Sequence, residues 1–223
     1  MKKDHIVLRY VVFIVGLFIA SFGVAFSTKA GLGTSPVASV PYSVSLANSA
    51  LSFGGWLNLY SVIQIAIQVL LLRSKCNPVE IVIQTILAFA YGYMNNFSAK
   101  VISGLKVSGY PMQFAIMLLG CVVVAFGIWL QFKGGVAMLP GEAMNRAIAT
   151  VTNKKYENIK VIFDILYILV SVVISLVCFH KLQGVREGSI IAAILIGNII
   201  KVFGKLFGKT FDKIFPFEVQ AAA

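Results

Sequence analysis

Charge and reactive side chains are what this sequence has least of. Only 12% of its 223 residues are Asp, Glu, Lys or Arg, and eight are acids, where a soluble domain carries about 25% charged residues. Hydrophobic residues make up 59% and the mean hydropathy is +0.90, more apolar surface than a water-soluble core can hide. One integral membrane domain, residues 1–223, is therefore expected, with length for roughly six to eight spans and none left for a soluble domain. The three cysteines, Cys76, Cys121 and Cys178, and the two histidines, His5 and His180, stand far apart. That spacing fits neither a metal site nor a disulfide framework. There is no GxSxG, HExxH or phosphate-binding GxxxxGK[ST] string, so neither an enzyme nor a cofactor is expected. The net charge of +11 sits between apolar stretches, as loop charges of a membrane protein do, which argues against nucleic acid as a partner.

What is present is a duplication. Phe22-Gly23, Lys29, Gly31 and Pro36 recur as Phe126-Gly127, Lys133, Gly135 and Pro140, each pair 104 positions apart. In both copies an apolar stretch runs into a Gly/Pro break and then resumes. Paired breaks at corresponding points of two halves mark solute sites in transporters, because interrupted helices expose backbone groups to a ligand. Repeat 1 is placed at about 6–106 and repeat 2 at about 110–213.

Uninterrupted apolar stretches run at 6–26, 57–72, 79–97, 112–132, 159–179 and 189–203. The first is too long for the core of a signal peptide and belongs to the repeat, so it is read as retained. Residues 31–50 and 134–150 are too polar and too broken for ordinary spans and read as re-entrant or half-length helices. With six crossings and both termini in the cytoplasm, fourteen of the nineteen basic residues fall inside. With eight crossings the balance is twelve to six and Arg146 becomes intramembrane, so the positive-inside rule favours six and leaves eight open. Three crossings per repeat make the halves inverted. The fold class expected is an all-α polytopic helix bundle of two repeats, each with three spans and one broken helix.

Within the breaks, Gly31, Gly33, Thr34, Ser35 and Pro36 face Pro140, Gly141, Glu142 and Asn145 as candidate solute-binding residues. The amides of Gly141, Glu142 and Ala143 would be free donors at a helix N-terminus, open to an anion or to the Glu142 carboxylate itself. Thr34 and Ser35 either cap the first broken helix or touch solute. Tyr60, Gln64 and Gln68 share one helix face, and Asp164, Tyr167, Ser171 and Ser175 share another. Gln64 and Asp164 join the binding set. Glu142 and Asp164 are the coupling candidates, with Lys160 at i−4 as a structural partner for Asp164. Arg186 and Glu187 form either a gate or a structural turn. Tyr91, Asn95 and Asn96 are ambiguous, and Gly16, Ala20 and Gly23 form a small-residue seam for contact within the chain or between subunits.

AGLGTSP, GVAMLPGEAMNRAIA, FDILYILVSVVISL and GVREGSIIAAILIGNIIK together resemble the YczE/YyaS/YitT family of bacterial integral membrane proteins, over about residues 22–203. Many members look to have an aspartate after the first-half proline, where this chain reads Val37-Ala38-Ser39, and a Pro-Arg-Asp string where it reads Pro140-Gly141-Glu142. The resemblance implies a bacterial plasma (inner) membrane protein of transport type. The function expected is secondary transport of a small polar solute held between the two broken helices. The alternatives are a substrate-binding membrane subunit of an energy-coupling ATPase complex, or a membrane assembly protein. Expected partners are membrane lipid, the solute, and a second copy or an ATPase.

Overall fold

The computed structural model describes residues 6–215, all helical apart from turns and connecting segments. Eight α-helices follow in order: α1 (Ile6–Ala30), α2 (Pro36–Ala47), α3 (Phe53–Leu72), α4 (Pro78–Val101), α5 (Tyr110–Gly134), α6 (Pro140–Thr152), α7 (Tyr156–Phe179) and α8 (Glu187–Ile214). A 3-10 turn, Arg73–Lys75, joins α3 to α4.

The same stop and start signals produce this order in both halves. Gly31 and Gly135 follow α1 and α5 with φ of +72° and +55°, a left-handed conformation that glycine adopts without a Cβ clash. Pro36 and Pro140 then open α2 and α6, where a missing amide hydrogen costs nothing. Both pairs lie 104 residues apart, and so do both ends of α1 and α5.

α1, α3, α5, α7 and α8 are long and apolar enough to cross a membrane. The sixth long helix, α4, has 24 residues but carries Gln84, Asn95 and Ser98 on its buried face. α2 and α6, of 12 and 13 residues, reach about 18–20 Å, short of a hydrocarbon core of about 30 Å. Neither crosses. After α5, Val136, Ala137 and Leu139 turn back into the bundle against Phe13, Leu17 and Leu87, and α6 then returns to the side on which α7 begins. The path is that of an all-helical bundle in which five helices have the length and hydropathy of spans and two half-length helices turn back inside it.

α1 and α5 form the centre and run antiparallel. Arg9 near the start of α1 donates from Nε to the Gly134 carbonyl and from Nη2 to that of Gly135, both at 2.8 Å. Further along, Gly16 meets Gly127 and Gly23 meets Gly120. The Gly16/Ala20/Gly23 seam is therefore spent within the chain. Because lipid is as apolar as leucine, such close contact is held by van der Waals packing. α7 and α8 lie outside this centre, with Ile165, Leu169, Val173, Ile190, Ile194 and Leu206 exposed, as suits lipid-facing helices.

One face of the bundle gathers the start of α1, the α3–α4 turn, the ends of α5 and α6 and the start of α7, with Arg9, Arg73, Lys75, Lys133, Lys154 and Lys155. The opposite face is tied by Lys29 Nζ to the Ser103 carbonyl at 2.8 Å and by the Tyr42 hydroxyl to the Thr28 carbonyl at 3.1 Å. The two termini that the positive-inside argument places in the cytoplasm, Lys2 and Lys3 among them, lie outside the described residues.

Candidate functional site

The first turns of the two half-helices meet inside the bundle. A Cβ on Gly141 would stand 3.4 Å from Val37 Cγ1 and 3.2 Å from Gln64 Nε2. Their backbone amides are less available than the sequence indicates. Leu139, not a capping side chain, precedes α6, and its carbonyl accepts from the amides of both Glu142 and Ala143 at 3.0 Å. The anion site expected from three free amides is thereby withdrawn. Ser35 precedes α2 without a side-chain capping bond, so the capping role read for it is not realised either. Glu142 does not cap α6 itself and is left half-buried on its first turn.

Beside Glu142 opens a cavity of about 750 Å³. It runs along α6 from Glu142 past Arg146 to Thr150, toward the basic face, with Glu80 at its rim and Phe13 and Ala137 among its apolar walls. Three glutamines line it, one from each of three long helices: Gln68 of α3, Gln84 of α4 and Gln131 of α5. They are 5%, 5% and 7% exposed. Gln68 Oε1, Gln84 Oε1 and Gln131 Nε2 are buried and have no hydrogen-bond partner. A buried amide group left unpaired costs roughly 1–3 kcal/mol, so three around one cavity need an explanation in a ligand or in water.

Lys160 and Asp164 of α7 are the charged neighbours of Glu142. Lys160 Nζ lies 3.2 Å from Asp164 Oδ2, which realises the structural partner, while Asp164 Oδ1 stays unpartnered. Gln64 is buried at the meeting point of α2 and α6, near Tyr60 and Tyr167, whose rings cross edge to face at 6.1 Å. Asn145 is buried with a free Oδ1 but does not line the cavity. Tyr167, Ser171 and Ser175 do face inward: Ser171 Oγ donates to Ser39 Oγ of α2 at 2.8 Å, and Ser175 Oγ to the Gln183 carbonyl at 2.6 Å. Asn96 is helix glue, accepting from the Gly54 amide at 2.9 Å and donating to Ser52 Oγ at 2.8 Å.

The first-half candidates lie elsewhere. Gly31 is exposed at the end of α1, and Gly33, Thr34 and Ser35 form a packed loop at the opposite face, with Pro36 buried behind them. The Thr34 amide donates to Ser189 Oγ at 3.1 Å, and the Gly188 amide to the Leu32 carbonyl at 2.9 Å. Arg186 and Glu187 sit beside this clasp and pair with each other at 3.0 Å. The structure thus joins Gly141, Glu142, Gln64 and Asp164 in one region and sets the Gly31–Ser35 loop and the Arg186–Glu187 pair apart from it. Sequence reasoning missed Gln84, Gln131 and Glu80. The available signal was a lone glutamine in an otherwise apolar span, which is costly enough there to demand a role.

Among the described residues no group of three His, Cys, Asp or Glu side chains is placed to hold a metal, and the three cysteines are free. No curated protein and no solved structure matches the chain. Residues 7–205, most of the helical bundle, match a family of unknown function, DUF6198, and the chain belongs to that family.

Proposed function

We propose that this protein is a secondary transporter of the bacterial inner membrane, and that the cavity beside Glu142 holds its small polar solute. The observation that carries the reading is the set of unpartnered amide atoms, Gln68 Oε1, Gln84 Oε1 and Gln131 Nε2, around that cavity, next to a carboxylate. Amides present donors and acceptors together and suit a neutral or zwitterionic polar solute. Glu142 has the position of the coupling group: it lines the cavity directly, whereas Asp164 already has Lys160 as its partner. With the basic face in the cytoplasm, as the positive-inside rule orients it, the cavity opens inward.

The chain's internal relationships support a carrier made of two inverted repeats, about 6–106 and 110–213. Gly120 and Gly127 are the 104-residue equivalents of Gly16 and Gly23, and the contacts are reciprocal: Gly16 with Gly127, Gly23 with Gly120. Reciprocal contacts between antiparallel helices are those of a twofold axis, here lying in the membrane plane as in inverted-repeat transporters. The likeness of LPGEAM and GVREGS to the YczE/YyaS/YitT proteins points the same way.

The test is uptake by purified protein in proteoliposomes, across a panel of amino acids, polyols and nucleosides under an imposed proton gradient. Wild type should accumulate at least one, and Glu142→Gln should lose the proton-driven component while eluting as a folded species. Flux unchanged in Glu142→Gln sinks the coupling role. A stoichiometric ATPase recovered with the protein, and no uptake without it, replaces the carrier by a binding subunit. No ligand-dependent thermal shift across the panel leaves only an assembly role.

A further inference from the structure

The two faces of the bundle are built from equivalent segments in different states. Shifting by 104 residues carries Leu32 onto Val136, Gly184 onto Glu80 and Gly188 onto Gln84. At the opposite face these positions are closed. Gly188 donates to the Leu32 carbonyl, Thr34 is held by Ser189, and a Cβ on Gly184 would come within 3.0 Å of Ser43 Oγ and Leu46 Cδ1. At the basic face Val136, Glu80 and Gln84 line the open cavity, and among the described residues no backbone hydrogen bond joins the 135–139 segment to the start of α4, although Ile83 and Leu87 of α4 share an apolar cluster with Val136 and Ala137 deeper in the bundle.

We infer that the clasp of Leu32 and Thr34 with Gly188 and Ser189 is the outer gate of the same site, and that its release is coupled to closure of the α4 start onto the 136–138 segment. The physical argument is one of near-degeneracy. Two halves of the same architecture pack around one centre, so the arrangement closed on one face and open on the other has a mirror-related counterpart of similar energy. The closed face is held by two hydrogen bonds and close glycine contacts, a modest free energy that differential contacts can outweigh. The seam between α1 and α5 stays fixed because its backbones touch. Arg186 and Glu187, paired at the α8 entry, would move with the gate.

This inference rests on the carrier reading, but its test does not need the solute. In a chain with Cys76, Cys121 and Cys178 replaced, single cysteines at Gln84 and Thr34 report the cavity and the clasp. Membrane-impermeant maleimide is applied to each face of sealed vesicles. The parent should label at Gln84→Cys from the basic face and resist labelling at Thr34→Cys. Gly188→Val then blocks the clasp, because a Cβ there would meet the Leu32 carbonyl oxygen at 2.5 Å. For a shift from about 9:91 to about 91:9 between the two arrangements, labelling at Thr34→Cys from the opposite face should rise about tenfold and labelling at Gln84→Cys should fall about tenfold.

A rise at Thr34→Cys with no fall at Gln84→Cys would mean an independently opening pore and overturn the coupling. No change at either position would overturn the gate. Ser189→Ala, which removes only the bond to the Thr34 amide, must shift both rates in the same directions by a smaller factor, and it serves if Gly188→Val does not fold. Reciprocal labelling without uptake of any solute would retain the gate and reject the carrier reading. Uptake without reciprocal labelling would do the reverse.

Discussion

Gly16 and Gly127 touch backbone to backbone across the centre of the bundle. A Cβ built on Gly16 would lie 2.7 Å from the Gly127 carbonyl oxygen, and one on Gly127 would lie 2.6 Å from that of Gly16. Neither neighbour is a side chain that can swing aside. Replacing either glycine by alanine must push α1 from α5 along the seam, and overpacking of this kind costs about 1–3 kcal/mol, more than the helix propensity regained, about 1 kcal/mol. Gly16→Ala and Gly127→Ala should each lower the melting temperature in detergent. Gly197→Ala, on an exposed part of α8 with nothing within 4 Å, should leave it unchanged or raise it. Equal behaviour of all three would mean that the helices do not approach so closely.

The glutamines allow function to be separated from stability. Gln68, Gln84 and Gln131 are each buried with one unmet hydrogen-bonding atom, so exchange for leucine, of similar bulk, removes the cost of burying that atom. A structural glutamine loses stability on such a change. These three should melt at the wild-type temperature or above it, while solute binding, read as a ligand-dependent thermal shift, falls at least tenfold for each, as expected when about 1.4 kcal/mol or more of recognition is lost. Asn96→Leu is the contrast. Asn96 ties α4 to the Gly54 amide and to Ser52, and its loss should lower stability by about 1–3 kcal/mol.

Much of this fold could be read directly from the chain, because its punctuation is local. Gly31 and Gly135 stop helices, Pro36 and Pro140 start them, and the constant 104-residue interval needs no tertiary information. The half-helices followed from polarity in the same way. The site was less legible for a physical reason: Gln68, Gln84 and Gln131 come from three helices and meet only once those helices pack, so no spacing within one helix marks them. The fate of the amides at α6 was also hidden. Whether Glu142 and Ala143 donate to Leu139 or to a ligand depends on one backbone conformation, the extended Leu139 with φ −69° and ψ 153°. Sequence alone does not encode such a choice at a Pro-Gly step.

The Lys160–Asp164 pair is the last point on which function and structure can be separated. Its partners are one helical turn apart, with side chains 41% and 21% exposed, so screening keeps the pair's own contribution small. What matters is the charge left when one member is removed. Lys160→Met leaves Asp164, whose Oδ1 already lacks a partner, beside Glu142 with no cation in the pair, and two neighbouring carboxylates disfavour each other's ionised form. The single variant should therefore change the pH dependence of transport if Glu142 is the coupling group. Lys160→Met combined with Asp164→Asn removes both charges and should restore stability and uptake toward wild type. If the double variant is folded, by melting temperature and elution volume, yet transports nothing, Asp164 carries the proton and Glu142 does not act alone. If it transports with the wild-type pH profile, the pair is scaffolding for α7 and coupling rests on Glu142.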